Sequence, residues 1–286
     1  MKKGFLFLLL ISVFANAQNK RFTYEYSFIL DSTNQADVQK ELIVLDVNPN
    51  GSKFYSYELF KSDSIQLVEI KKQENSGSEI INVKQSYKGK IFYTIEKNYP
   101  GFEIYQHTGL GNDRYKVLDN RKSVWKILPD KQKLGEFETQ KAETKMFGRK
   151  WTAWFATEIP IQDGPYKFHG LPGLIVKIED EAKYHSFELK GISKYVENNK
   201  LQIDDERNFE KEILIDHHKY KKLASELRND PTKALREMLN ISGPNVKMIS
   251  SDGNEVKPAE ILRERDLKAK EDRKKNNNPL ELDLLK

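Results

Sequence analysis

The chain has 286 residues, of which 38% are hydrophobic and 11% aromatic, and its formal net charge is +5. It contains no cysteine, which excludes disulfides, a thiolate nucleophile, cysteine-bound metals and the lipid-carrying cysteine of a bacterial lipoprotein. The net charge is too small for a broad phosphate-binding surface, so composition argues against a nucleic-acid-binding protein.

The N-terminus has the three parts of a secretory signal. Lys2 and Lys3 form a positively charged start, residues 5–14 are mostly apolar, and Ala15-Asn16-Ala17 places small residues where a signal peptidase cleaves. The apolar run is shorter than the roughly 20 residues that span a bilayer. We therefore expect a cleaved signal peptide over residues 1–17 and an exported mature chain, periplasmic or extracellular. At most it is peripheral to the outer membrane, and it is neither a lipoprotein nor an integral membrane protein.

The first two thirds of the chain predict β-strands. Phe22, Tyr24, Tyr26 and Phe28 alternate with other residues at the two-residue period of a half-buried strand. Comparable runs occur at Leu42–Val47, Lys53–Leu59, Ile80–Gln85, Ile91–Glu96, Arg114–Leu118, Val124–Leu128, Trp151–Thr157, Leu174–Glu179 and Tyr184–Lys190. This pattern indicates an α+β fold with one large curved antiparallel sheet, of which a half-barrel is one form.

Helices are predicted mainly near the C-terminus, although residues 65–73 also favour a short helix. Asp216 can cap a helix, and Ile215 with Tyr220 fits a hydrophobic staple around that cap. Asp230-Pro231 predicts the start of a second helix.

Domain organisation follows from these elements. We expect a single β-rich domain over residues 18–262, with helices near 216–229 and 231–239 packed on the sheet. Residues 263–286 form a charged tail, because eleven of the thirteen residues at 263–275 are charged. We expect this tail to be helical or disordered, with order lost around Asn276–Asn278.

Local motifs for metals, nucleotides or catalysis are incomplete. Asp46–Gly51 resembles the start of a calcium loop, but the twelfth position is Tyr57 and not an acid, so the segment is predicted as a hairpin turn. Gly109-Leu110-Gly111 lacks the third glycine of a dinucleotide site. Ser123–Lys126 matches a serine–lysine pattern that needs a helix, whereas an extended chain is predicted there. We expect no cofactor.

The histidines leave one kind of site open. His217 lies beside the apolar stripe of its predicted helix and is expected to pack partly buried. His107, His169 and His185 have no ligand spacing, so a metal site would require them to converge in three dimensions. Asp204-Asp205-Glu206 is predicted as a solvated loop.

Residues 151–179 differ in composition from the rest of the chain. They hold two of the three tryptophans, together with three prolines and three glycines. Leu171–Leu174 has proline and glycine where a type II turn needs them. The prolines remove sheet donors, so residues 159–170 should form a rigid connection between strands. Trp151 and Trp154 must point to opposite sheet faces.

One hexapeptide in this segment carries a resemblance. It consists of Gly170, Leu171, Pro172, Gly173, Leu174 and Ile175, and it resembles the motif after which the GLPGLI family of exported Gram-negative bacterial proteins is named. Residues 153–155, 164–168, 140–142 and 278–282 are similar to that family as well, whereas Thr139 stands where many members have cysteine. The resemblance implies an envelope location and an unknown activity, and it implies no catalytic residue.

Two kinds of function stay open. The first is a non-catalytic binding or accessory module for an outer-membrane transport protein or another periplasmic partner. Its surface would be a preformed loop with Tyr166, Lys167, Phe168 and His169, or a concave sheet face that holds an apolar ligand. The second is a metal-dependent hydrolase whose site is assembled only in three dimensions.

Overall fold

The computed structural model describes residues 19–76, 88–195, 211–242, 248–249 and 255–285. The expected signal peptide, the expected strand Ile80–Gln85 and the loop Asp204–Glu206 lie outside the described residues. The strands are β1 Lys20–Phe28, β2 Gln39–Asn48, β3 Gly51–Ser56, β4 Thr94–Asn98, β5 Glu103–Leu110, β6 Asp113–Asp119, β7 Lys126–Leu134, β8 Phe137–Met146, β9 Arg149–Ala156, β10 Leu174–Asp180, β11 His185–Lys194, β12 Ile213–Asp216, β13 Met248–Ile249 and β14 Glu255–Val256. The helices are α1 Tyr57–Asn75, α2 His217–Asn229, α3 Lys233–Ser242 and α4 Pro258–Lys275, followed by a 3-10 turn at Leu282–Leu285.

Twelve strands form one open sheet in the order β12-β6-β5-β4-β3-β2-β1-β11-β10-β9-β8-β7. Neighbouring strands are antiparallel except β12, which runs parallel to β6. Because β12 and β7 are opposite edges and do not pair with each other, the sheet is not closed into a barrel. The expected α+β fold with a large antiparallel sheet is confirmed.

Strands β5, β8 and β12 of the large sheet and the short strands β13 and β14 have no counterpart among the expected strands. In β8 the alternation is hidden because two buried positions are threonines rather than apolar residues. The hydroxyl of Thr139 donates to the carbonyl of Gln132 at 2.7 Å, and that of Thr144 donates to the carbonyl of Val124 at 2.8 Å. These hydrogen bonds make burial of the hydroxyls tolerable.

Polar side chains cap the first turns of helices α1 and α2. The Ser56 hydroxyl accepts from the amide of Leu59 at 3.1 Å, so α1 starts at Tyr57 and replaces the end of the expected strand Lys53–Leu59. Asp216 accepts from the amide of Lys219 at 2.7 Å, which confirms the expected cap of α2. Helix α3 begins at Lys233, slightly later than expected.

The inner face of the sheet is covered by the connection between β9 and β10, residues 157–173. Phe22 and Tyr24 on β1, Phe54 on β3 and Phe187 on β11 are all fully buried against it. This packing covers the inner face around these strands with side chains of the connection. The interpretation of the sheet as a site for an apolar ligand stays a prediction.

The segment after α4 is ordered against the body of the protein, which corrects the expected disorder around Asn276–Asn278. Asn278 and Glu281 are only 3% and 4% exposed. The Asn278 amide donates to the carbonyl of Leu30 at 2.9 Å, and the Leu282 amide donates to the carbonyl of Phe147 at 2.9 Å. These contacts hold residues 276–285 across several strand ends. No helix among the described residues is long and apolar enough to cross a membrane.

Candidate functional site

The loop that was expected to present a binding surface lies inside the protein. Tyr166, Lys167 and Phe168 are 2%, 1% and 0% exposed. His169 is half-buried, and its ring stacks on Phe102 with 4.3 Å between ring centroids. Tyr166, Lys167 and Phe168 therefore do not form an exposed surface, because their side chains pack under the sheet.

The hexapeptide 170–175 ends this loop without the expected type II turn. The positive φ lies at Gly170 (93°) and not at Gly173. Gly173 is required for a different reason, since a Cβ there would stand 2.2 Å from the carbonyl oxygen of Ala156. Leu171 and Ile175 are 1% and 0% exposed. The motif therefore packs the end of the loop closely against β9 and places two of its side chains in the core.

Lys97 and Asp163 form the first of three buried polar centres. Both side chains are fully buried and paired with each other. Asp163 also accepts hydrogen bonds from the Ser52 hydroxyl at 2.5 Å, the Gly164 amide at 2.6 Å and the Tyr99 hydroxyl. The Lys97 ammonium also donates to the carbonyls of Gly164 at 2.7 Å and Phe168 at 3.3 Å. Because all three ammonium protons have acceptors, the pair anchors the loop and keeps no donor for a substrate.

The second centre joins the loop to the C-terminal segment. Lys167 Nζ lies 2.8 Å from Asp119 Oδ2 and 2.6 Å from Glu281 Oε1. Arg121 contacts the same two carboxylates at 2.6 and 2.7 Å and reaches Asp283 at 2.9 Å. Burial raises the pKa of Asp119, but hydrogen bonds and charge from Arg121 and Lys167 outweigh it and hold that pKa well below its usual range. Three acids and two bases leave this centre one negative charge.

His217 borders the second centre, partly buried as expected. Its Nδ1 lies 3.9 Å from Asp119 Oδ2, which is too far for a hydrogen bond. Within the described chain, His217 Nδ1 and Asp283 Oδ1 are the buried side-chain atoms without a hydrogen-bond partner. Burial and the charge of Arg121 lower the pKa of His217.

The third centre holds the chain between Asn278 and Leu280. Arg149 pairs with Asp180 at 2.9 Å and donates to the side chain of Asn278 at 2.6 Å and the carbonyl of Leu280 at 3.0 Å. His185 Nδ1 lies 2.7 Å from the Tyr26 hydroxyl, and its Nε2 lies 3.1 Å from the Asn278 carbonyl. These groups position the backbone of the C-terminal segment, and Asp180 also lines an open groove described below.

The three histidines that were candidates for a metal site do not converge. His107 lies on β5 between Glu96 and Glu212, at 3.1 and 2.8 Å. His169 stacks on an aromatic ring, and His185 belongs to the third centre. Over residues 19–76, 88–195 and 211–242 with the described C-terminal segments, no group of three or more histidine and acidic side chains could hold a metal ion.

An open groove of about 630 Å³ lies at one end of β8, β9 and β10. Its acidic lining residues are already paired, because Glu143, Glu179 and Glu181 contact Lys141, Lys177 and Lys150 at 3.2, 3.1 and 2.9 Å. Lys126, Lys145 and Lys183 also line the groove and are exposed. None of the three forms an ion pair with another residue in the described part of the chain. Val124, which is 81% exposed, adds an apolar patch. We call this feature the lysine groove.

The fold and these centres define an open-sheet α+β protein with buried ion pairs in its interior and the lysine groove on its surface. A family model described as "Protein of unknown function (Porph_ging)" matches residues 113–177. The matched span runs from β6 to β10 and includes the hexapeptide. The description does not use the GLPGLI name, so that resemblance stays a prediction.

Two solved structures described as PNGF-II, in space groups C2 and P21, are similar to this chain at 17% and 16% identity, with TM-scores of 0.48 and 0.47. Each comparison covers 72% of this chain, but only 32% and 33% of the PNGF-II chains. This chain therefore spans about a third of those structures, and at this similarity they support no conclusion on function. No curated protein matches the chain.

Sequence patterns missed most residues of the polar centres. Lys97, Asp119 and Glu281 each occupy strand or tail positions that look solvated in the sequence. One signal was available for Lys97, since it stands at the inward position of β4, two residues after the buried Ile95. Their partners are distant in the chain, so spacing could not reveal them.

Proposed function

We propose that this chain is an exported, non-catalytic binding protein of the cell envelope whose lysine groove takes an acidic segment of a partner. The observation that carries the proposal is a groove of about 630 Å³ lined by three lysines that have no ion-pair partner among the described residues. Grooves of this size accommodate small ligands or a few residues of a peptide.

Charge decides which ligand the lysine groove favours. Its glutamates are paired with neighbouring lysines, and Asp180 is paired with Arg149 at 2.9 Å. Lys126, Lys145 and Lys183 therefore leave a local excess of positive charge. An acidic ligand gains charge-assisted hydrogen bonds from these ammonium groups. The exposed side chain of Val124 offers an apolar contact at the same place.

The rest of the molecule supports binding at the surface over chemistry in the interior. The three polar centres are buried and hold the loop and the C-terminal segment in place. The inner sheet face is filled by Tyr166, Phe168 and their neighbours. No observation in the described residues favours the metal-dependent hydrolase.

Export is part of the proposal and rests on residues 1–17. Expression of the whole gene in a Gram-negative host tests it, with a mature N-terminus expected at Gln18 in the periplasm or medium. Recovery of the uncleaved chain in the cytoplasm would remove the envelope location and leave groove binding to be judged separately.

Groove binding is tested with a fluorescein-labelled poly-aspartate decapeptide and the mature chain, using fluorescence anisotropy at low and high salt. We expect saturable binding that weakens with salt and is lost in the triple variant Lys126→Glu, Lys145→Glu, Lys183→Glu. The matched control, Lys219→Glu, Lys222→Glu, Lys233→Glu, makes the same charge change on exposed helix positions and should retain binding. Equal loss in both triples would show a net-charge effect and overturn the groove as the site.

A further inference from the structure

Helix α4 lies on the protein without burying any of its residues. Every residue of Pro258–Lys275 is half-buried or exposed. Leu262, Asp266, Ala269 and Arg273 are half-buried and share one side of the helix. A helix that is polar nearly all round needs ion pairs or a partner to account for it.

The exposed side of α4 has an ordered charge pattern. Its exposed residues at heptad-like spacing are Glu260, Arg263, Glu264, Leu267, Lys270, Glu271 and Lys274. With 3.6 residues per turn they form one stripe. Leu267 lies at the centre of the stripe and is 52% exposed. We call this the α4 stripe.

Two copies of the α4 stripe are complementary only when they run antiparallel. About a twofold axis at Leu267, the facing pairs are Glu260 with Lys274, Arg263 with Glu271, and Glu264 with Lys270. The symmetry repeats each pair, so six contacts join opposite charges and Leu267 meets its own copy. A parallel pair would place every charge against its like.

Contacts within one helix account for only part of this pattern, since Lys270 pairs with Asp266 one turn earlier at 2.7 Å. Acidic residues near the N-terminus and basic residues near the C-terminus suit the helix dipole. Arg263 and Glu271 oppose the dipole, yet they face each other across the twofold axis. Glu260 with Glu264 and Lys270 with Lys274 are like-charged pairs at i,i+4, which destabilise a single helix, and the second copy neutralises both.

We infer that the partner of α4 is a second copy of this chain, bound through antiparallel pairing of the two α4 stripes. The half-buried side of each helix faces its own body, so the two bodies lie on the outer sides of the helix pair. With a single apolar residue at its centre, the dimer depends on charge and weakens with salt.

Disulfide trapping tests the register, because the chain has no cysteine of its own. In the mature protein, Leu267→Cys places two thiols at the twofold axis, and mild oxidation should yield a covalent dimer. Arg265→Cys, an exposed position on another side of α4, is the matched control and should crosslink far more slowly. Equal rates for the two variants would overturn the pairing.

Charge reversal tests the complementarity by sedimentation at low salt, with circular dichroism to verify folding. We expect two triple variants to be monomeric. The first carries Glu260→Lys, Glu264→Lys and Glu271→Lys, and the second carries Arg263→Glu, Lys270→Glu and Lys274→Glu. A mixture of the two sets should form heterodimers at least as tight as the unmodified dimer. Monomeric behaviour of the unmodified chain at every concentration, or failure of the mixture to associate, would refute the inference.

Discussion

Lys167 and Glu281 are joined from Nζ to Oε1 at 2.6 Å, although 114 residues separate them and their side chains are only 1% and 4% exposed. One residue belongs to the loop under the sheet and the other to the segment after α4. The ion pair therefore ties together two parts of the chain that would otherwise expose their inner surfaces.

We expect Lys167→Met to lower the free energy of unfolding by about 3–5 kcal/mol, because removal of one partner leaves buried carboxylates uncompensated. Urea denaturation of the mature chain measures the change. Lys150→Met is the control, since Lys150 pairs with Glu181 at 2.9 Å but is 58% exposed, and it should change stability by less than about 1 kcal/mol. Similar losses in both variants would contradict a special role for the buried pair.

Gly173→Ala should destabilise the protein by about 1–3 kcal/mol, because its Cβ overlaps backbone that cannot move aside. The nearest atom, the Ala156 carbonyl oxygen, would lie 2.2 Å away. Gly191→Ala provides the control, since a Cβ there meets nothing within 4 Å. Thermal unfolding distinguishes them, and an unchanged melting temperature for the position-173 variant would contradict the close approach.

His107 should stabilise the fold at acid pH. Burial lowers its pKa, but hydrogen bonds to Glu96 and Glu212 outweigh burial and raise the pKa above its usual value. Because the folded pKa is raised, the stabilisation is complete below about pH 6.5 and declines as pH rises through the folded pKa. Urea midpoints of the unmodified chain and His107→Gln should therefore converge as pH rises. A constant difference from pH 5 to 9 would argue against the charged bridge.

His185 should show the opposite trend. Burial and the charge of Arg149 lower its pKa to about 3, although the hydrogen bond to the backbone of Asn278 raises it. The unfolded chain binds a proton below about pH 6.5, where folded His185 does not, so stability is lost as pH falls from there towards 3. Nuclear magnetic resonance titration should find this ring neutral at pH 5. A charged His185 at that pH would refute the burial argument.

Local elements were the predictable part of this fold. The N-cap at Asp216 and its staple from Ile215 (5% exposed) to Tyr220 (9% exposed) depend on neighbours within a few residues, so the sequence reveals them. The opposite faces of Trp151, which is 1% exposed, and the half-buried Trp154 follow from strand geometry alone. Strand β8 escaped prediction because buried threonines replace the apolar residues that alternation requires.

The candidate sites were far less predictable. Tyr166, Lys167 and Phe168 looked like an exposed loop because prolines and glycines surround them. The partners of Lys167 are Asp119 and Glu281, which lie far from it in the chain on either side. No local pattern reports such a pairing, since a lysine beside aromatic residues is equally compatible with solvent.

By itself the sequence determined the α+β class, most strands, the cap of α2 and the charge pattern of α4, because periodicity and neighbouring charges act within one or two turns. Only the tertiary structure decided that residues 157–173 fill the inner face and that the second and third polar centres hold residues 276–285. It also decided that three lysines around a groove have no ion-pair partner among the described residues. The physical reason is the same in each case. Burial and ion pairing join segments that are distant in the chain. They stabilise the fold only when both partners are in place.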